Sequence, residues 1–383
     1  MTHMHVAGAI HADVASPAPV WLTRPDDVNE LTTKLWSSNT TREADGVMSI
    51  GGVRLTELAE QVGTPAYVID EADFRERART WREAFEGWTL YYASKAFIST
   101  MVARWLAEEG LSVDVASLGE LTVALRGGVD PARIAHHGNN KSEDELRVSL
   151  TSGVGRIVVD SSDEITRLER LCAELGVTAK VMVRVTTGVE AHTHEYIATA
   201  HEDQKFGFSI GGGQALVALF RCQNSPHLEL LGVHSHIGSQ IFDTNGFEVA
   251  ARRTLKLFAQ FREATGQELP ELDLGGGFGI AYTKEDTPST AADLAAGLRE
   301  IVQHECAGYG LTIPRLSIEP GRALIGPAGT ALYRVGTVKP VELGSGFSRR
   351  YLSVDGGMSD NIRPALYAAE YSAALANRTS TAE

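Results

Sequence analysis

Lys95 closes the run Tyr91-Tyr92-Ala93-Ser94-Lys95-Ala96-Phe97, in which strand formers give way to an amine. Any single lysine is usually a solvated surface charge. An amine held between aromatic and small residues at a strand end is instead expected to be partly desolvated, which lowers its pKa and makes it a nucleophile for carbonyls, as a Schiff-base lysine requires. Three further strings carry chemistry. His234-Ser235-His236-Ile237-Gly238-Ser239-Gln240 sets two imidazoles on one strand face. With no carboxylate or cysteine at a convincing spacing, this argues for ring stacking on a planar cofactor rather than for a metal. Asp273-Leu274-Gly275-Gly276-Gly277-Phe278-Gly279 is a glycine turn whose amides can wrap a phosphate. It lacks the G-x-G-x-x-G spacing of a dinucleotide fold, and a plain tight turn is the alternative. Ile318-Glu319-Pro320-Gly321-Arg322 sets a carboxylate and a guanidinium at one rim, with a structural ion pair as the alternative.

These strings need a scaffold that brings distant segments together. Eight apolar runs read as strands: Leu90–Lys95, Ser112–Ser117, Ile134–Asn139, Arg156–Ser161, Lys180–Val185, Leu230–Ser239, Glu271–Gly277 and Arg315–Gly321. Helix-like segments lie between them, at Ser99–Glu109, Leu118–Arg126, Ser142–Thr151, Asp163–Leu175, Phe247–Ala264 and Ala291–Ala307. Buried strands alternating with crossover helices imply an α/β fold with a parallel sheet, here a (β/α)8 TIM barrel, against a doubly wound open sheet as the rival. Residues 66–328 are assigned to the barrel, residues 1–20 to a mobile leader, and residues 21–65 to an N-terminal segment packing on a β domain. From residue 329 the texture changes to Thr330–Val335, Gly336–Leu343 and Tyr351–Val354, strands without helices between them. Residues 329–383 therefore read as a smaller, incomplete antiparallel β domain.

In such a barrel the C-terminal strand ends converge on one pocket. Those ends carry Ser94 and Lys95, Asp114, His136-His137-Gly138-Asn139-Asn140-Lys141, Arg184, the two-histidine string, the glycine turn and the Glu-Pro-Gly-Arg corner. A carbonyl-reactive amine, a phosphate cradle, a ring stacker and a carboxylate are what pyridoxal 5'-phosphate asks for. Metal-assisted or triad hydrolysis would use far fewer of them.

Composition narrows the rest. The chain has 383 residues, 43% hydrophobic and 22% charged, with a formal net charge of -14, which disfavours a nucleic-acid or anionic-membrane partner. Three distant cysteines, Cys172, Cys222 and Cys306, suit buried thiols in a reducing compartment. Without a signal-peptide pattern or a long apolar run, the expected location is cytoplasmic.

The strings Tyr91–Lys95, His234–Gln240, Asp273–Gly279, Glu319–Arg322 and Val354–Tyr367, with Val189–Ser209 resembling the diaminopimelate-specific members, make the chain similar to the diaminopimelate decarboxylase family. These are pyridoxal phosphate enzymes of the alanine-racemase-like class. The resemblance implies decarboxylation of meso-2,6-diaminopimelate to L-lysine and carbon dioxide in lysine biosynthesis, by a homodimer with active sites at the interface. It implies catalytic roles for Lys95, to which the cofactor would be attached, and for His236, stacked on its ring. Ser239, Gly275, Gly276, Gly277, Glu319, Pro320, Gly321 and Arg322 would hold the cofactor, with Glu319 at the pyridine nitrogen and Ser239 at the phosphate. Arg322, Arg363 and Tyr367 would bind substrate. No metal is implied. The family's Cys-Glu-Ser-Gly-Asp motif is not in this sequence, so the resemblance implies a shortened β domain and cofactor binding that outlasts turnover. An ornithine or arginine decarboxylase of the same fold, or a cofactor-binding protein without turnover, are the alternatives.

Overall fold

The computed structural model describes residues 27–188, 205–344 and 347–381. The expected leader and most of the Val189–Ser209 string lie outside the described residues. The chain divides into two compact units, one formed by residues 1–70 with 329–383 and the other by residues 71–328.

In the first unit, β1 (Thr40–Arg42), β2 (Met48–Ile50) and β3 (Val53–Arg54) make a small antiparallel sheet, and α1 (Leu55–Val62) follows without a break. Strand β4 (Ala66–Ile69) pairs antiparallel with Gly329–Leu332, Ile69 opposite Gly329. The strand rhythm of the sequence assigns residues 66–70 to the barrel. That placement is corrected, because the strand's backbone partners come from the far end of the chain. Met48, Ile50, Leu55 and Leu332 form this unit's small apolar core.

The second unit opens with α2 (Glu71–Ala84) and contains eight parallel strands: β5 (Thr89–Ala93), β6 (Ser112–Val115), β7 (Ile134–His136), β8 (Arg156–Val159), β9 (Ala179–Thr186), β11 (Leu228–Ser235), β12 (Glu271–Asp273) and β13 (Arg315–Ile318). Each pairs with the next, and β13 pairs with β5, so the sheet closes; the two-residue β10 (Phe208–Ser209) adds to β9. The closed parallel barrel expected from the sequence is therefore the fold. Its helices start where a side chain can satisfy the orphan amides of the first turn. Ser99 caps α3 (Thr100–Glu108), Ser117 caps α4 (Leu118–Arg126), Ser142 caps α5 (Glu143–Ser152) and Ser161 caps α6 (Ser162–Leu175). After α7 (Gln214–Asn224) and α8 (Asn245–Thr265), Thr290 caps α9 (Ala291–Tyr309).

The two ends of the barrel differ in chemistry. At the N-terminal end Arg156, which opens β8, reaches across to Glu271, which opens β12, at 2.5 Å, and its guanidinium lies 5.1 Å from the Tyr91 ring. Strand β9 and strand β11 stand between β8 and β12 in the sheet, so this ion pair bridges the interior and closes that end. Higher up, Val158, Met182 and Leu231 form an apolar cluster from three successive strands. The opposite end is left to polar side chains.

The short helix α10 (Arg322–Ile325) ends the second unit, and the first unit resumes with β14 (Gly329–Leu332). A long two-stranded ribbon, β15 (Val335–Gly344) and β16 (Phe347–Val354), and the short helix α11 (Arg363–Tyr367) follow. The ribbon leaves Val338, Tyr351 and Leu352 exposed. Among the described residues no helix is long and apolar enough to cross a membrane.

Candidate active site

Seven of the eight strands deliver the polar cluster. Lys95 follows β5 in a single 3-10 turn, Ser94–Ala96, two residues beyond the strand rather than inside it. The side chain is exposed, which corrects the expectation of a desolvated amine: the turn lifts it out of the aromatic packing that buries Tyr91 and Tyr92. Its charge still acts on the cluster, opposing the rise that burial imposes on Asp114 and adding to the fall that burial imposes on His236.

The Glu-Pro-Gly-Arg corner sits directly against this strand. The amide of Ala93 donates to the carbonyl of Pro320 at 3.3 Å. A Cβ on Gly321 would lie 2.9 Å from the Cβ and the carbonyl oxygen of Ala93, so only glycine lets the corner approach so near to Lys95. The glycine turn joins on the other side, since the amide of Glu319 donates to the carbonyl of Gly275 at 2.9 Å.

The glycines do more packing than cradling. The amide of Gly275 donates to Asp273 at 2.8 Å, and that of Gly276 to Nδ1 of His236 at 3.3 Å. A Cβ on Gly276 would lie 2.2 Å from the Glu319 carbonyl oxygen, and one on Gly275 would lie 2.3 Å from that of Ser235. The run thus lets three strand ends meet, and it narrows the expected phosphate wrap to Gly277, the one glycine of the three whose amide has no internal acceptor among the described residues.

Glu319 and Arg322 do not pair with each other, which removes the structural ion pair weighed for that corner. Arg322 donates to the Tyr282 hydroxyl at 2.9 Å and to Ser239 Oγ at 3.1 Å, joining the corner to the two-histidine string. Glu319, buried at 4% exposure, takes two imidazoles: Oε1 lies 3.1 Å from Nε2 of His137 and Oε2 lies 3.3 Å from Nε2 of His234. No carboxylate accompanies the histidines locally in sequence, because Glu319 is far along the chain from both. These three groups lie within 4.8 Å of one another, and they are matched as an ion pair and a hydrogen bond.

The electrostatics sort the cluster. Burial raises Glu319, but His137 and then His234 outweigh it and hold the carboxyl well below its usual range. An attraction on the order of 5 kcal/mol at 3 Å and an effective dielectric near 20 is enough to keep such a pair charged. His137 is shifted upward, its own burial being overcome by Glu319 and Asp114. Burial lowers His234 to about 4, leaving it neutral. His236 is also pushed well below its ordinary value, by burial first and then by Lys95 and Arg184. Desolvation raises Asp114 to about 6 and Asp273 to about 7, the second with a contribution from Glu319. Opposed shifts among close carboxylates and imidazoles mark a site built for proton bookkeeping rather than for stability.

Three other residues expected at the strand ends have partners of their own. Arg184 lies 4.5 Å above the Phe206 ring and 3.7 Å from Asp160. His136 faces away from the cluster, its Nδ1 2.6 Å from Ser149 Oγ. Lys141 ties the loop after β7, donating to the carbonyls of Gly138 and Val158 and to Glu164. Arg363 and Tyr367 belong to the other unit; there the guanidinium lies 5.4 Å from the Tyr367 ring and its Nε donates to the Tyr371 hydroxyl at 2.9 Å.

Residues 71–326 match the family model described as pyridoxal-dependent decarboxylase, pyridoxal binding domain. The chain is 50% identical to the diaminopimelate decarboxylase of Mycobacterium leprae, an alignment covering 99% of this chain and 82% of that one. It is 50% identical to the diaminopimelate decarboxylase of Bacillus subtilis, over 87% of this chain and 76% of that one. Among solved structures it resembles diaminopimelate decarboxylase from M. jannaschii in complex with L-lysine, at a TM-score of 0.81 and 31% identity, covering 88% of this chain and 78% of that one.

Proposed function

The chain belongs to the diaminopimelate decarboxylase family, and from that membership we propose that it decarboxylates meso-2,6-diaminopimelate to L-lysine and carbon dioxide with pyridoxal 5'-phosphate as cofactor. The observation that carries the chemistry is the Glu319 carboxylate, buried and held well below the usual carboxylate range beside His137, at the same mouth as Lys95 and His236. An ionised carboxylate placed there is the partner that a protonated pyridine nitrogen needs.

On this reading the residues divide the work. Lys95, exposed at the mouth, holds the cofactor through its amine and remains accessible to an arriving substrate amine. His236, its orientation fixed by the Gly276 amide, would be the side chain that contacts the cofactor ring. Glu319 keeps the ring nitrogen protonated. The cofactor, when bound, supplies the sink for the electron pair released as the bond between Cα and the carboxylate breaks. Ser239, Arg322 and the Gly277 amide take the phosphate, while Gly275, Gly276, Pro320 and Gly321 shape the floor. Arg322 also faces the substrate, and Arg363 with Tyr367 takes its distal end, a carboxylate being what a planar guanidinium grips best.

The protein is further proposed to act as a homodimer, for which the exposed Val338, Leu352 and Val354 offer an apolar ribbon face to cover. A cytoplasmic location is supported by the three buried thiols. Carbon dioxide release from meso-diaminopimelate, compared with ornithine, arginine and lysine at equal concentration, tests the substrate. Faster release from ornithine or arginine would overturn it.

A further inference from the structure

We propose that His137 is a positioning residue: through its contact with Glu319 it holds that carboxylate ionised and correctly turned, and so determines whether the cofactor's ring nitrogen carries a proton. The proposal rests on the reading that Glu319 faces that nitrogen.

Placement comes first. His137 follows β7, and its amide donates to the carbonyl of Val115 on β6 at 2.7 Å, so the residue is fixed by two neighbouring strands. Lys141 pins the same loop from its other end by donating to the carbonyl of Gly138 at 2.7 Å. The side chain is 7% exposed and packs edge-on against the His234 ring, with centroids 4.8 Å apart and planes at 74°. An imidazole held this firmly cannot turn away from Oε1, 3.1 Å distant.

Charge gives the placement its consequence. The groups that act on His137 are Glu319 beyond β13, Asp114 on β6 and Asp273 on β12. On the other side of the carboxylate, neutral His234 stands on β11 and Arg184 on β9. His136, its chain neighbour, is directed to Ser149. Without a cation at position 137, Glu319 would share the barrel mouth with Asp114 and Asp273 and with little positive charge in contact. The carboxyl would then keep its own proton and could only donate a hydrogen bond to an unprotonated ring nitrogen, instead of accepting one from a protonated nitrogen, and the ring would lose its strength as an electron sink. The two adjacent histidines thus divide the work, His136 as a packed core group and His137 as the support of the carboxylate.

The test uses the holoenzyme reconstituted with pyridoxal 5'-phosphate labelled with nitrogen-15 in the ring. In the wild type the ring resonance should lie at the pyridinium position at pH 8. In His137→Asn it should move toward the unprotonated pyridine position, with kcat reduced tenfold or more and KM changed less. A pyridinium resonance that persists in His137→Asn overturns the role of His137. Glu319→Gln serves as the reference, and if it leaves the resonance in place Glu319 does not face the ring, so the reading beneath the proposal fails instead. Because His137→Asn is a buried substitution, a second measurement uses folded wild type: histidine NMR of the cofactor-free protein. His137 should remain protonated above the ordinary range for histidine and lose that shift in Glu319→Gln. A neutral His137 at pH 7 in the wild type contradicts the proposal.

Discussion

The amide of Gly276 donates to Nδ1 of His236 at 3.3 Å, so the imidazole proton sits on Nε2. Burial, with Lys95 and Arg184 nearby, keeps this ring neutral. The glycine is therefore both a spacer between strand ends and the group that sets the tautomer and tilt of the ring.

Gly276→Ala should weaken both roles. The new Cβ would meet the Glu319 carbonyl oxygen at 2.2 Å, which the backbone can relieve only by shifting. The expected destabilisation is about 1–3 kcal/mol, as for other overpacked sites. Thermal unfolding of the cofactor-free variant and a cofactor titration check this, and an unchanged melting temperature with unchanged affinity would contradict it.

Arg322→Lys should loosen cofactor binding by about tenfold or more, the loss of one hydrogen bond to a charged group. The guanidinium reaches Tyr282 and Ser239 with separate nitrogens, a fork that a single ammonium cannot reproduce. Equilibrium dialysis with the cofactor measures it; circular dichroism should show an intact fold.

The eight strands were legible because buried parallel strands are uniformly apolar, and the helix starts because Ser99, Ser117, Ser142, Ser161 and Thr290 announce them. Helix α7 was not, since it begins at Gly213, which has no side chain to cap with. The pairing of Ala66–Ile69 with Gly329–Leu332 escaped for a different reason: antiparallel partners so far apart leave no local trace. In the site, the types of the residues were readable but their partners were not. Nothing near Glu319 in the chain announces His137, and nothing in the glycine run says that two of its amides are already committed.

Lys141→Met should cost about 3–5 kcal/mol, because Glu164 would be left buried without its cation. The bond is 2.6 Å long and both side chains are almost fully enclosed. Denaturant unfolding of the single variant and of Lys141→Met combined with Glu164→Leu separates charge from packing. The pair should recover much of the loss; a double variant as unstable as the single one would contradict this.

Asp273 gives a pH dependence of definite sign. Its folded carboxyl is raised from 3.8 to about 7, chiefly by desolvation. The folded state thus holds a proton that the unfolded state releases, so this contribution is complete below about pH 4 and is lost as pH rises toward 7. The span is on the order of 4 kcal/mol. Asp273→Asn retains an acceptor for the Gly275 amide and an amide to meet Ser317, and it should flatten the fall in stability between pH 5 and pH 8. An equal slope in variant and wild type would assign the dependence elsewhere.

The central claim is that an amine, a carboxylate and an oriented imidazole converge on one bound pyridoxal phosphate at the mouth of the barrel. Borohydride reduction of the holoenzyme followed by peptide mapping tests this most directly. One phosphopyridoxyl adduct is expected, on Lys95, and none in Lys95→Ala, together with loss of carbon dioxide release from meso-diaminopimelate. An adduct on Lys141 or Lys205, or an adduct that survives in Lys95→Ala, would contradict it.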